Sequence, residues 1–525
     1  MNWQEMQDEI MLFDGAMGTM LQGAGLKPGQ CPELLNLENP EIIRKVHQSY
    51  IQAGANIIET NTFGANPLKL REYGLDGKTR DINRQGVRIA KEAAAGRALV
   101  AGSVGPTGLL LEPYGPATFA EVYKAYKEQI EALAKAGADL ICIETMSDLN
   151  EIKAALLAAK ECSSLPIVCM MSFNPQGSTM MGVSPETAAV VLSALGADVV
   201  GANCSAGASE LLPVMERMGK VSDKMLIVQP NAGLPVFQAG QVSYAEDAAS
   251  MAQHAENFVQ AGVQILGGCC GTSPQHIQSL AAKVKHRPPV QRKKHKVLFI
   301  SGRKMVLGMG EHNETVSIEG LNSFSANEGQ QILQKGAQGL LIKLPAHLDL
   351  RELQQKFLAF QGVVDAPLAL KAENPAALEA VLKIVRGRPL LFGLTATEDS
   401  LNKFLPLAAK YGAGIVAATI DESGVPENNG EKIALAEKIM ARGKEVGINP
   451  WDIAIDALAL PFKAKAALEE EKLAVYSTLK KLGVQGAISL SEEKFWPAWL
   501  PKDREKLKTY LGQNQIDLFL ANLLS

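Results

Sequence analysis

The sequence predicts an α/β protein made of two (β/α)8 TIM barrels in tandem. Three observations carry this expectation: a length of 525 residues, two series of eight short apolar runs at regular spacing, and amphipathic helical patterns between the runs. Two barrels of about 250 residues each account for the length. Apolar residues make up 47% and charged residues 21%, enough side chain to fill two large cores and too much for extended disorder.

The first series opens with MLFD at 11–14 and continues through NIIET at 56–60, ALVAGS at 98–103 and LICIET at 140–145. It ends with PIVCMMS at 166–172, VVGANC at 199–204, LIVQPN at 226–231 and QILGGCC at 264–270. Most runs are unbroken apolar stretches, as parallel strands covered on both faces require. Between them lie patterns such as PEIIRKVHQSYIQA and FAEVYKAYKEQIEALAKA, apolar at three- and four-residue steps. Helix-stop phrases such as Ala53-Gly54-Ala55, Ala136-Gly137-Ala138 and Ala261-Gly262-Val263 stand just before strands, because glycine takes the left-handed conformation that ends a helix. The basic stretch KHRPPVQRKKHK at 285–296 has prolines and no apolar period, which places the junction there. The expected division is a first domain over 1–287, a linker over 288–296 and a second domain over 297–525. The second series runs from KVLFIS at 296–301 through GLLIK, APLAL, PLLFG, GIVAAT, DIAID and VQGAIS to IDLFLA at 516–521. An open doubly wound sheet shares this alternation, and strand counting alone does not show closure.

Lys plus Arg is 52 against 56 Asp plus Glu, a net charge of -4, so neither a nucleic-acid partner nor a basic membrane surface is indicated. No apolar run reaches the roughly 18 to 20 residues of a membrane span, and the start MNWQEMQDEI is acidic and polar where a signal peptide is basic and then apolar. A cytoplasmic protein is expected. Seven Cys in a chain of this length are too few for a disulfide framework.

Barrel enzymes draw their chemistry from the C-terminal ends of strands. Those ends carry Asp14, Glu59 and Asn61, Ser103, Glu144, Ser172 and Asn174, Asn203 with Cys204, Asn231, and the adjacent pair Cys269 and Cys270. Three thiolates converging from two strand ends suit Zn²⁺, which accepts thiolate-rich tetrahedral coordination without redox chemistry. By itself the vicinal pair also reads as a strained disulfide or two idle core residues; Cys204 tips the reading to metal. Cys31, Cys142, Cys162 and Cys169 read as small buried hydrophobes with no assigned role. Asp14 and Glu144 read equally as caps or satisfied loop carboxylates. A zinc with three protein ligands keeps one place open, and a substrate thiol bound there is deprotonated. Three cysteinates make the metal a poor Lewis acid for hydrolysis, so the expected reaction is alkyl transfer to sulfur.

The strings LFDGAMGTML, ENPEIIRKVHQSYIQAGANIIETNTFGAN, GSVGPTG, IETMSDLNE, GANCSAG, PNAGLP and GGCCGT, spread over residues 8–285, together resemble the zinc-dependent homocysteine S-methyltransferase domain, as it occurs in the N-terminal half of the cobalamin-dependent methionine synthases. The resemblance implies that Cys204, Cys269 and Cys270 hold zinc and that homocysteine sulfur takes the open place. It further implies that Asp14 and Glu144 hold the ammonium end of the amino acid, with Gly15, Ser103 and Gly105 nearby, and that Asn231 is a fourth ligand or a neighbour when substrate is absent. The second half looks like the pterin-binding barrel of the same enzymes. Its pocket departs from that family's pattern: Ser301-Gly302-Arg303-Lys304 stands for Gly-Glu-Arg with Thr-Asn, Ile342-Lys343-Leu344 for Asp-Val-Asn, Lys371-Ala372 for Asp-Ser and Gly393-Leu394 for Asn-Ser, while Asp421 and Asp456 agree. Several unpaired pterin groups cost about 1 to 3 kcal/mol each, so folate binding is not expected. Lys343 and Lys371 read either as receivers of an anion or as solvated mouth residues.

The expected activity is methyl transfer from a methyl-corrinoid such as methylcobalamin to homocysteine, giving methionine. The corrinoid-binding and reactivation domains of the complete synthases are not in this sequence, so the corrinoid is expected as free cofactor or on a separate protein. Two alternatives stand beside this: a corrinoid-linked methyltransferase for another thiol or S-methyl compound, and a scaffold that docks a corrinoid protein.

Overall fold

The computed structural model describes Trp3 and residues 8–238, 241–310, 315–321, 323–426, 428–457, 469–489, 511–513 and 516–521. The chain forms two compact units, one up to Lys294 and one from His295 onward.

In the first unit the strands are β1 (Met11–Leu12), β2 (Ile57–Glu59), β3 (Leu99–Val104), β4 (Leu140–Met146), β5 (Ile167–Met171), β6 (Val199–Asn203) and β7 (Met225–Gln229). A hairpin of β8 (Pro235–Gln238) and β9 (Gln241–Tyr244) follows, and then β10 (Ile265–Leu266). Eight of these make one parallel sheet in the order β1-β10-β7-β6-β5-β4-β3-β2. Its two ends meet through a parallel bridge between Phe13 and Ile57, so the sheet is nearly closed. The Asn56 N–H donates to the Leu12 carbonyl at 2.7 Å, and the Asn56 side chain accepts from the Leu12 N–H at 2.9 Å. Alternate residues of the strands fill the lumen, among them Phe13, Ala101, Cys142, Met170 and Ile227. The helix pattern of the sequence recurs as Pro40–Ala53, which Gly54 ends at φ 107°, and as Phe119–Lys135, started by a Thr118/Glu121 capping box. Arg292, within the expected linker, donates to the carbonyls of Gly219 (3.3 Å) and Ser222 (2.6 Å), which anchors that stretch to the first unit.

The second unit begins with an antiparallel hairpin, β11 (Leu298–Ser301) with β12 (Val306–Met309). A closed parallel barrel follows: β13 (Val316–Leu321), β14 (Gly339–Lys343), β15 (Leu368–Lys371), β16 (Leu390–Thr395), β17 (Gly414–Ala418), β18 (Ile453–Asp456), β19 (Gln485–Ser489) and β20 (Leu518–Ala521). One expectation is corrected. KVLFIS is not the first barrel strand; VSIEGL is. Leu298, Ile300 and Met309 of the hairpin pack with lumen residues such as Leu341, Leu390 and Val416. Arg388, just before β16, fixes the hairpin there: its N–H donates to the Ser301 hydroxyl, and its guanidinium donates to the carbonyls of Phe299 and Gly412 and to Asp452 at 2.7 Å. The hairpin therefore stops the N-terminal end of the barrel. Ser301-Gly302-Arg303-Lys304 lies at that end, where Arg303 N–H bonds Asp365, and not at the mouth where a pocket would open. Among the described residues no helix is long and apolar enough to cross a membrane.

Candidate active site

The three cysteines meet at the C-terminal mouth of the first barrel. Cys204 follows β6, and it and Ser205 take left-handed backbone at φ 59° and 61°, a turn that non-glycine residues adopt at some cost. The Cys204 N–H is tied to the Gln229 carbonyl (3.1 Å) and the Cys269 N–H to that of Pro230 (2.8 Å), so the neighbouring strand β7 sets the separation of the two cysteine segments. The glycines around the pair are required by space. A Cβ at Gly268 would stand 2.5 Å from Thr272 Oγ1, and one at Gly271, already at φ 81°, would stand 2.4 Å from the Tyr244 ring.

The Sγ atoms of Cys204, Cys269 and Cys270 lie within 4.8 Å of one another, and those of Cys204 and Cys270 are 3.8 Å apart. A tetrahedral zinc with Zn–S of about 2.3 Å places its sulfurs about 3.8 Å apart, so the donor set fits that ion. The thiols share protons. Bonds from Cys204 and then Cys269, with a further one from Tyr244, hold the Cys270 thiol down to about 3. At Cys204 the bond with Cys269 lowers the value, but that with Cys270 and burial outweigh it and push the thiol up to about 12. Cys269 is raised by its bonds to Cys204 and Cys270 and by burial.

Next to the thiols sit buried carboxyls. Glu144 Oε1 accepts from the Ser103 hydroxyl at 2.6 Å and its Oε2 from Asn203 Nδ2 at 3.3 Å; burial pushes Glu144 up to about 7 against the bonds of Ser103 and Thr145. Asp14 Oδ2 accepts from the Glu59 N–H at 3.1 Å, while its Oδ1 is buried with no partner among the described residues. Burial raises Asp14, with the Glu59 N–H opposing and Glu144 adding to it. Glu59, which accepts from the Cys142 thiol, is raised by burial and then by Glu144 and Asp14. No Lys, Arg or His is among the groups that shift these three acids, so their burial is not offset by a cationic side chain.

The remaining expected residues frame this cluster. Gly15 has no room for a side chain, since a Cβ would stand 2.7 Å from Thr272 Oγ1 and 2.9 Å from the Tyr50 ring. Gly105 lies against Phe63, 2.6 Å from where its Cβ would be. The following loop is pinned by Glu151, which accepts from the Thr107 N–H (2.8 Å), the Thr107 hydroxyl (2.6 Å) and Tyr126 (3.0 Å). Asn231 is buried beside both cysteine segments. Its N–H reaches the Ala206 carbonyl, the next N–H, of Ala232, reaches that of Cys270, and its Oδ1 has no partner among the described residues. Two further residues join the site. Asn203 links Glu144 to Cys269 Sγ, 3.9 Å away, and was legible only as one of several strand-end amides. Tyr244, which bonds the Cys270 sulfur, is carried in by the β8–β9 hairpin, an element with no signal among the strand runs of the sequence. In the second unit Lys343 and Lys371 do end their strands, Gly393 sits at a bulge in β16 with φ 92°, Asp421 caps its own turn through the Ser423 N–H, and Asp456 ends β18 buried.

The family described as homocysteine S-methyltransferase matches residues 11–284, just over half of the chain. Methionine synthase of Mycobacterium tuberculosis is 29% identical over 481 residues, covering 83% of this chain and 40% of that protein. The Mycobacterium leprae methionine synthase is 29% identical over 489 residues with the same shares. The chain thus spans about 40% of the length of these relatives. Among solved structures, the metallated homocysteine methyltransferase MmuM of Escherichia coli is 26% identical and matches 53% of this chain and 97% of its own, with a TM-score of 0.46.

Proposed function

The chain belongs to the homocysteine S-methyltransferase family and is a methyltransferase, and from that premise we propose that it moves a methyl group from a methyl-corrinoid to the sulfur of homocysteine, giving methionine. The observation that carries this reading is the meeting of three thiols, spaced for zinc, with a buried carboxyl cluster that lacks a cation. An amino-acid thiol supplies both missing parts, a sulfur for the metal and an ammonium for the acids.

Cys204, Cys269 and Cys270 would hold zinc, which would supply stabilisation of the incoming thiol as a thiolate at neutral pH. The chain's own groups do the rest. Asp14 Oδ1 and Glu144 accept from the substrate ammonium, whose charge favours their ionised forms against burial. Ser103 and Asn203 fix the Glu144 carboxyl, and Asn203 also spans toward Cys269, which sets the separation between the sulfur and ammonium sites. Tyr244 donates to the Cys270 sulfur and spreads its negative charge. In the transfer the substrate thiol gives up its proton to solvent, a sulfur–carbon bond forms, and the donor's bond to the methyl carbon breaks with the electron pair staying on the donor. A docking scaffold has no use for three converging thiols. The sequence resemblance to cobalamin-dependent methionine synthases supports a corrinoid donor, and the Lys343, Lys371 and Gly393 strand ends of the second barrel argue against methyltetrahydrofolate as a ligand of this chain.

The test is to incubate purified, zinc-loaded protein with homocysteine and, in turn, methylcobalamin, S-methylmethionine and methyltetrahydrofolate, and to measure methionine by mass spectrometry. Methylcobalamin alone should support turnover. Turnover with S-methylmethionine only, or with methyltetrahydrofolate when no other methyltransferase is present, overturns the donor assignment.

A further inference from the structure

The second unit carries a cluster of positive side chains that the proposed reaction does not use. Lys343 ends β14, Lys371 ends β15, and the two are register partners on adjacent strands. Like charges side by side on a sheet are destabilising and call for compensation. Burial, and then the Lys343 ammonium, pulls the Lys371 amine down from its ordinary range. The Lys371 ammonium lies 5.9 Å over the Phe392 ring. One exposed acid serves both amines: Glu373 stands 3.6 Å from Lys343 and attracts Lys371.

Beside Lys343, residues 323–326 and the helix Leu350–Val363 flank an open cleft of about 650 Å³, a size that suits a small molecule. Phe324, Leu348 and Phe360 are among its apolar lining residues, and Ser323, Lys343 and Lys356 among its polar ones. The Phe324 ring is set edge-on to Phe357 and Phe360, at 6.0 and 6.2 Å, so the apolar wall is already in place. Lys356 is paired with Glu352 on the helix surface, both about half exposed, and such pairs are worth little and yield readily to a better partner. Lys343 and Lys356 on the lining and Lys371 on the next strand, set against Glu352 and Glu373, leave one positive charge in excess.

We propose that this cavity binds a small amphiphilic anion, with an oxyanion group at Lys343 and Lys356 and an apolar or aromatic body against Phe324, Leu348 and Phe360. Lys371 adds to the attraction from the neighbouring strand. The site lies wholly in the second unit and does not depend on the zinc reading of the first. A phosphate ester and a carboxylate share the required chemistry.

Calorimetry of the full chain with phenyl phosphate, phenylacetate, inorganic phosphate and phenol tests this. At least one of the two aromatic anions should bind ten times or more tighter than either inorganic phosphate or phenol, and the stronger of the two identifies the anion type. Lys343→Gln should weaken that binding at least tenfold with an unchanged melting temperature, Leu348→Asp should weaken it as well, and Cys270→Ser should leave it unaltered. The proposal is overturned if neither aromatic anion exceeds phenol, if Lys343→Gln keeps wild-type affinity, or if Cys270→Ser abolishes binding, which would place the ligand at the thiol site instead.

Discussion

Burial raises the carboxyls of both Asp14 and Glu144, a cost that a bound cation would offset, and this makes them the most informative single residues. Asp14→Asn and Glu144→Gln should keep zinc and raise the KM for homocysteine by about tenfold or more, roughly 1.4 kcal/mol or above, with a smaller change in kcat, because each removes binding to the ammonium end. Steady-state kinetics beside metal analysis decides this; unchanged KM in both variants removes the carboxyls from the substrate site. Glu144 also sets a pH dependence. Its carboxyl is pushed up to about 7, so in the free protein it gains a proton as pH falls below that value and loses its pull on the ammonium. kcat/KM for homocysteine should therefore decline as pH falls below about 7, and Glu144→Gln should reduce that decline and leave the part that Asp14 contributes. The cysteines behave differently: Cys204→Ser, Cys269→Ser and Cys270→Ser should each lower zinc content, since a hydroxyl does not ionise at neutral pH as a bound thiol does. Full zinc content in all three variants contradicts the site. Cysteines at strand ends were conspicuous in the sequence because so few residue types there ligate metal. Asn203 and Tyr244 were not, because an amide or a phenol declares its role only through the neighbours that the fold brings to it.

At the scale of elements, the helix Pro40–Ala53 holds a buried histidine. Both ring nitrogens of His47 lack partners among the described residues, and burial lowers it to about 4 from an unfolded value near 6.5. The folded value is the lower one, so stability is complete above about pH 6.5 and is lost as pH falls toward 4, by on the order of 3 kcal/mol. Urea unfolding of His47→Leu against the parent over this window should remove most of that slope; an unaltered slope assigns it to other groups. The hairpin β11–β12 depends on Arg388 in the same local way. Arg388→Ala leaves Asp452 and two carbonyls without their donor and should cost the second unit about 3 kcal/mol in denaturant unfolding. A loss below 0.5 kcal/mol would show that apolar packing of Leu298 and Ile300 alone secures the hairpin. This hairpin is also where the sequence misled. KVLFIS is the more apolar run, while VSIEGL carries a glutamate and a glycine, yet VSIEGL enters the barrel. Helix ends and buried strands are local properties and could be read from Ala-Gly-Ala phrases and unbroken apolar runs. Which run pairs with β20 to close a ring is a long-range choice that no local pattern records.

For the whole molecule, the account rests on a division of labour in the first unit. A nearly closed ring of parallel strands places three thiols and a carboxyl cluster at one mouth, and in the proposed reaction these would receive the two ends of one amino acid. The architecture was legible because eight strand–helix steps per half leave few alternatives, whereas near-closure of the first unit, through the Phe13–Ile57 bridge, is a long-range pairing that no local pattern records. The central claim is that the thiol trio holds zinc with one place open for the substrate sulfur. Zinc K-edge X-ray absorption on the loaded protein, without and with homocysteine, tests it most directly. The expected result is a shell of three sulfurs and one lighter atom that becomes four sulfurs at about 2.3 Å when homocysteine is added, with the change weakened in Glu144→Gln at the same substrate concentration. A shell that stays the same at saturating homocysteine, or one that already holds four sulfurs without it, would contradict the account.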